Sequence, residues 1–296
     1  MDLSTYLVDR AAMVDAALDQ LLPREQVLPA RLHQSMRYSV FAGGKRIRPI
    51  LMIAACEAVG GDISRVIPAA CALEMIHTYS LVHDDLPAMD DDDYRRGRLT
   101  NHKVYGEATA ILAGDALLTQ AFTLLSADAA LEGVSSDIRL KVIHTIASAA
   151  GSFGMVGGQV VDMESEGTTF DLPTLEYIHT HKTGALILAS ITVGALVGGA
   201  DPTASRALER YGATVGLAFQ IADDILDIVG DLETIGKDVG SDEARGKATY
   251  PALLGLGEAR SRARELRDIA VSALDPLGEK ADRLRQIAHF VIDRTF

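Results

Sequence analysis

The chain has no tryptophan, and aromatic residues of every kind make up 5% of its 296 positions. With so few rings, packing has to rest on Ala, Leu, Ile and Val, a composition that favours helices. Cysteine is almost as scarce. Cys56 and Cys71 both stand in apolar helical contexts, which excludes a disulfide framework and points to a reducing, cytoplasmic setting. Basic residues are outnumbered, 28 Lys and Arg against 41 Asp and Glu, for a net charge of −13. That balance argues against binding nucleic acid or an anionic membrane through the surface as a whole, so an anionic substrate has to be met by local cations or by metal. The N-terminus carries acids before any long apolar run, unlike a signal or transit peptide. Membrane-like runs are missing too, apart from 183–200, which is uncharged throughout and lies at the short end of spanning length. Its glycines, with Asp201 and Pro202 just after, suit a buried helix better than a membrane span.

What the chain does have is helical periodicity. Leu3, Leu7, Val14, Leu18 and Leu21 form one apolar stripe over 1–22, stopped by Pro23. Further helices are expected over 29–40, 50–59, 65–83, 108–126, 138–150, 174–199, 203–229, 257–273 and 281–294. The glycine-rich stretch 151–158 reads as a break or a close helix crossing. No run alternates in the way a sheet requires. The expected architecture is all-α, one large helical domain over 1–296 with helices around a central active-site cavity.

The chain is organised around Asp84-Asp85-Leu86-Pro87-Ala88-Met89-Asp90-Asp91-Asp92-Asp93, followed by Tyr94-Arg95-Arg96-Gly97. Pro87 keeps these carboxylates from continuing one regular helix. So much negative charge is either solvated or holds divalent cations through oxygen ligands. A second cluster bears on the choice. Gln220, Asp223, Asp224 and Asp227 fall at i, i+3, i+4 and i+7 of a helix whose other faces are apolar, with no lysine or arginine within a turn. Two clusters of this kind suggest shared cations. All-oxygen ligation points to magnesium or manganese rather than zinc.

Cations are concentrated in Gly43-Gly44-Lys45-Arg46-Ile47-Arg48-Pro49, where three of them in four positions make a compact anion site, although the spacing is not that of a P-loop. His77 lies two helical turns before Asp84, either a core histidine or a further anion contact. His179 and His181 have no acidic partner at ligand spacing and read as structural. Lys182, Lys237 and Lys247 lie near turns, the last two in a charged, glycine-punctuated loop where a mobile cover could fold onto phosphates.

Taken together, Asp84-Asp85-x4-Asp90 with Arg95-Arg96-Gly97, and Asp223-Asp224-x-x-Asp227, resemble the two aspartate-rich motifs of the trans-isoprenyl diphosphate synthases. The Gly43 to Pro49 stretch, Gln159 in Gly157-Gly158-Gln159, Lys182-Thr183-Gly184 and Gly236-Lys237-Asp238 follow that family's order and intervals. The resemblance covers nearly the whole chain and is strongest to the bacterial short-chain branch, whose first motif has four residues between its aspartates. The closing Phe290 to Arg294 is also similar to that group.

The resemblance implies the isoprenoid synthase fold and a prenyltransferase acting on isopentenyl diphosphate and an allylic diphosphate. It implies that Asp84, Asp85 and Asp90 hold two magnesium ions and that Asp223, with Asp224 or Asp227, holds a third, manganese being an alternative metal. Arg95, Lys182, Lys237 and Lys247 would help grip the allylic diphosphate. Isopentenyl diphosphate would be held by Lys45, Arg48, His77 and Arg96. Thr183 and Gln220 would stabilise the allylic cation, and no side chain is expected as general base. Tyr79 and Ser80, five and four residues before Asp84, would set product length, with farnesyl diphosphate expected and geranylgeranyl or geranyl diphosphate as rivals. A class I terpene cyclase would not need the second diphosphate pocket, and a silent partner subunit would be expected to have lost motif residues that are all present here. The family is usually a homodimer.

Overall fold

The computed structural model describes residues 2–127, 131–167, 170–229 and 249–293. Lys237 and Lys247 lie outside these residues. The elements, in chain order, are α1 (Leu3–Leu21), α2 (Ala30–Val40), α3 (Ile47–Ala58), α4 (Ile67–Asp84), the strands β1 (Tyr94–Arg95) and β2 (Arg98–Leu99), α5 (Asn101–Tyr105), α6 (Glu107–Ser126), α7 (Ser136–Ala150) and α8 (Met155–Ser165). They continue as α9 (Leu172–Ile178), a π-helical turn (His179–Gly184), α10 (Ala185–Gly198), α11 (Pro202–Val229), α12 (Tyr250–Leu254), α13 (Leu256–Ala273) and α14 (Asp282–Asp293). The all-α expectation holds among the described residues, where β1 and β2 form one two-stranded antiparallel ladder pairing Tyr94 with Leu99 and Arg95 with Arg98.

The chain divides into two compact units, 1–50 with 64–143, and 51–63 with 144–296. In the first, Asp2 caps α1 by accepting from the Thr5 backbone N–H at 2.9 Å, and Pro68 opens α4 where its missing N–H costs nothing. Helix α4 is buried on nearly every side, from Ala69 through Ile76. Apart from Glu74 and Thr78 its buried residues are apolar on every side, which suits a central helix rather than a surface one. Its long contact is with α6, and its C-terminus ends at the first acidic cluster.

In the second unit α11 packs on α10 and α13, and Tyr211, wholly buried, donates its hydroxyl to the Leu284 carbonyl at 2.8 Å. The apolar run 183–200 forms α10 and the end of the π turn, with Leu186, Ile187, Ile191 and Val193 buried. By length and composition alone two helical stretches could cross a membrane, 107–126 and 172–198, their most apolar windows 39% and 50% buried. Cys56 and Cys71 are both buried free thiols, and burial pushes their pKa values up to about 11 and about 12. Inert thiols of this kind accord with the absence of a disulfide framework.

Candidate active site

In the first unit, α4 carries Tyr79, Ser80 and Asp84, and Asp85 caps its C-terminus. The acidic stretch then turns back on itself. The Asp90 backbone N–H donates to the Asp84 carbonyl at 2.8 Å, so the first and third aspartates of the motif stand together at the closure of one loop. Asp84 and Asp90 are half-buried, whereas Asp85 is buried and its Oδ1 takes Nε and Nη2 of Arg95 at 2.7 and 2.6 Å. Burial works against the Arg95 charge, but the bond to Asp85 and the attraction of Asp85, Asp92 and Asp84 leave its pKa raised. Beyond it, Arg96 and Gly97 take positive φ (54° and 72°) at the tip of the β1–β2 hairpin, and Arg96 donates to the Gly43 carbonyl.

That contact ties the basic turn to the hairpin. Gly43 and Gly44 both have positive φ, and a Cβ on Gly44 would collide with the Arg96 guanidinium. Around this junction the structure gathers most of the set expected for isopentenyl diphosphate. Arg48 Nη1 lies 3.3 Å from His77 Nε2, and since a guanidinium only donates, that nitrogen of His77 is the acceptor. Burial, then the charges of Arg48, Arg96, Arg95 and Arg46, hold the His77 pKa well below 6.5, so the ring is neutral. Lys45 is exposed on the same turn.

Arg46 departs from expectation. Three cations do not share the turn, because Arg46, at φ 49°, points inward and is buried. It donates to Asp15 and Glu74, both at 2.7 Å, and to the Val40 carbonyl at 2.6 Å. It braces the turn and leaves Lys45 and Arg48 as the anion-facing candidates. Tyr79 is 7% exposed, its ring edge-on to His83 with centroids 5.7 Å apart, and the Ser80 hydroxyl is spent on the His77 carbonyl at 2.8 Å. Asp91, Asp93 and His102 also place ligand atoms within 4.8 Å of one another, although Asp93 already pairs with Lys103 at 2.6 Å.

In the second unit the π turn carries Lys182 and Thr183. Such turns insert one residue into a helix and recur at functional positions. Thr183 Oγ1 donates to Gln220 Oε1 at 3.0 Å, joining two residues expected to act together from helices far apart in sequence. Lys182 Nζ meets Asp162 Oδ2 on α8 at 2.5 Å, a partner that the sequence does not reveal because the glycines of 151–158 break the helical pattern where α8 begins. Gly158 allows a close crossing with the π turn. A Cβ on Gly158 would overlap the backbone nitrogen of Lys182.

On α11 the four-residue polar face divides into two stripes. Asp223 and Asp227 are half-buried on one of them. Asp224 is 7% exposed and accepts from His179 Nε2 at 2.8 Å and from the Tyr250 backbone N–H at 2.9 Å. His179, expected to lack an acidic partner, therefore has one from another helix, which spacing within its own helix cannot reveal. His181 stacks on Tyr177 with ring centroids 3.8 Å apart, as suits a structural residue.

Residues 29–287 match the polyprenyl synthetase family, and the chain belongs to that family. Its fold is that of the all-α isoprenoid synthases, and it is a short-chain trans-prenyltransferase. A farnesyl diphosphate synthase from Geobacillus stearothermophilus is 53% identical over 262 residues, 88% of each chain. A geranylgeranyl diphosphate synthase from Cyanophora paradoxa is 47% identical over 294 residues, 99% of this chain and 97% of that one. The crystal structure of an FPP/GFPP synthase from Zymomonas mobilis, 39% identical, matches 98% of both chains with a TM-score of 0.87.

Proposed function

We propose that the whole of 1–296 works as one catalytic domain that condenses isopentenyl diphosphate with dimethylallyl and then geranyl diphosphate, stopping at (2E,6E)-farnesyl diphosphate. The observation that carries the fifteen-carbon limit is Tyr79. Five residues before Asp84 is about 7.5 Å along the helix, and there a buried ring, backed by His83, supplies a floor against which the growing chain would stop.

The carboxylates fit a hard divalent cation such as magnesium, since every donor is oxygen and the Asp84–Asp90 backbone bond closes the loop that carries two of these residues. Magnesium would be held by Asp84, Asp85 and Asp90 in one unit and by Asp223 and Asp227 in the other, and three ions are expected. Bound there, it would supply Lewis-acid stabilisation of the departing diphosphate. Arg95 and Lys182, with Lys237 and Lys247, bind the allylic diphosphate. Lys45, Arg48, Arg96 and the neutral His77 hold isopentenyl diphosphate. The allylic C–O bond breaks, the double bond of isopentenyl diphosphate attacks the cation to form the new C–C bond, and the released diphosphate takes the proton. Thr183 and Gln220 direct oxygen dipoles at the cation, and the helical walls exclude the water that would quench it. The working enzyme is a cytoplasmic homodimer.

The test is product analysis with labelled isopentenyl diphosphate and, separately, dimethylallyl or geranyl diphosphate in magnesium. A fifteen-carbon alcohol after dephosphorylation from both primers, abolished by chelation, is expected. A twenty-carbon product would keep the chemistry and overturn the Tyr79 floor. Hydrocarbon formed from a longer allylic diphosphate without isopentenyl diphosphate would make it a cyclase.

A further inference from the structure

The π turn and α11 meet in two rungs. His179 donates to Asp224 at 2.8 Å, and four residues on in the turn, Thr183 donates to Gln220, four residues back on α11, at 3.0 Å. The two segments therefore cross in antiparallel register, with Lys182 beside one end and Asp223 beside the other. The His179 rung is the better buried, and it is braced again from α12. The Tyr250 backbone N–H donates to the same Asp224 oxygen, the Tyr250 ring stacks on His179 with centroids 5.6 Å apart, and its hydroxyl donates to Glu176 at 2.8 Å. One carboxylate thus joins three elements, although it stands in a motif otherwise suited to metal.

We propose that Asp224 and His179 form a positioning pair that sets the register of the π turn on α11, holding Lys182 and Thr183 against Gln220 and Asp223, and that the metal at this motif is left to Asp223 and Asp227. Asp224 Oδ2 already accepts two hydrogen bonds in the interior, and turning it toward a cation would strand the His179 and Tyr250 donors without an acceptor. Asp223 and Asp227, four apart on the neighbouring stripe, keep ligand spacing without it. The proposal rests on the prenyltransferase reading for its catalytic consequence and on the geometry alone for the pair itself.

The test compares Asp224→Asn, Asp223→Asn, His179→Phe and His179→Gln in the full-length enzyme. Phenylalanine keeps the stack on Tyr250 and removes the donor, whereas glutamine restores an N–H. Expected are a fall in kcat of about tenfold or more for His179→Phe with KM for isopentenyl diphosphate unchanged, and recovery in His179→Gln. Asp224→Asn should leave the half-saturating magnesium concentration within about twofold of wild type, whereas Asp223→Asn raises it about tenfold or more. A magnesium requirement raised equally by Asp224→Asn, or full kcat in His179→Phe, would overturn the proposal. Should His179→Phe fail to fold, the Asp224→Asn and His179→Gln comparisons decide it. If the wild-type enzyme makes no prenyl diphosphate, it is the functional reading that fails. The pair is then judged by hydrogen exchange at the Tyr250 amide, slow in wild type and fast in Asp224→Ala, and equal exchange in both would overturn it.

Discussion

Arg46 and Glu74 face each other in the interior of the first unit, Nη1 to Oε1 at 2.7 Å, their side chains 1% and 3% exposed. Glu74→Ala would leave a guanidinium that burial disfavours with its one buried charge partner, among the described residues, gone. A loss of about 3–5 kcal/mol of stability is expected, read by urea denaturation. A loss under about 1 kcal/mol would show that Asp15 and the Val40 carbonyl suffice for Arg46.

His77 gives the protein a signed pH dependence. Its folded pKa lies well below 6.5, through burial first and then Arg48 and its neighbouring arginines. The unfolded chain therefore takes up a proton near pH 6.5 that the folded one refuses, and the stabilisation present above that pH is lost as pH falls toward the folded value. The slope approaches about 1.4 kcal/mol per pH unit. Unfolding free energies at pH 7.5 and 5.5 should differ more in wild type than in His77→Gln, and identical differences would place the titration elsewhere.

Gly158→Ala sets a new methyl against the backbone nitrogen of Lys182, where no side chain can swing aside. Destabilisation of about 1–3 kcal/mol is expected, with kcat falling further than the stability change accounts for, because the π turn moves. Thermal melts and steady-state kinetics on one preparation separate the two, and an unchanged kcat would mean the crossing relaxes without displacing Lys182.

Tyr79→Ala removes the ring that lies edge-on to His83 and that we propose as the floor for the growing chain. Product should shift from fifteen toward twenty carbons with condensation retained, as sized by chromatography of the dephosphorylated alcohols. Unchanged fifteen-carbon output would put the floor on another helix.

Most helices were legible because apolar stripes and proline stops agree. The spacing predicts 203–229 and 257–273, and the structure has Pro202–Val229 and Leu256–Ala273. The acidic motifs were legible because charge at that density requires a counter-ion. Other features lay outside what local pattern carries. Arg46 and Arg48 are alike in the sequence, and only the left-handed φ at Arg46 sends one inward. The start of helix α8 was hidden by glycines, of which Gly158 lies against the backbone of Lys182. The partners of Asp224 and Lys182 lie far along the chain, where periodicity within one helix has nothing to say.

The π turn explains why 174–199 reads as one continuous helix and is not one. An inserted residue advances everything after it by about 100° around the helix axis, so α10 presents a different longitude from the one α9 would have extended. Losing one residue from His179–Gly184 would scarcely shorten the chain, yet it would rephase all of α10. For this segment, tolerance to change is therefore a matter of counting residues: substitutions can accumulate on either side of the turn, while an insertion or deletion within it rotates half of a helical hairpin out of alignment.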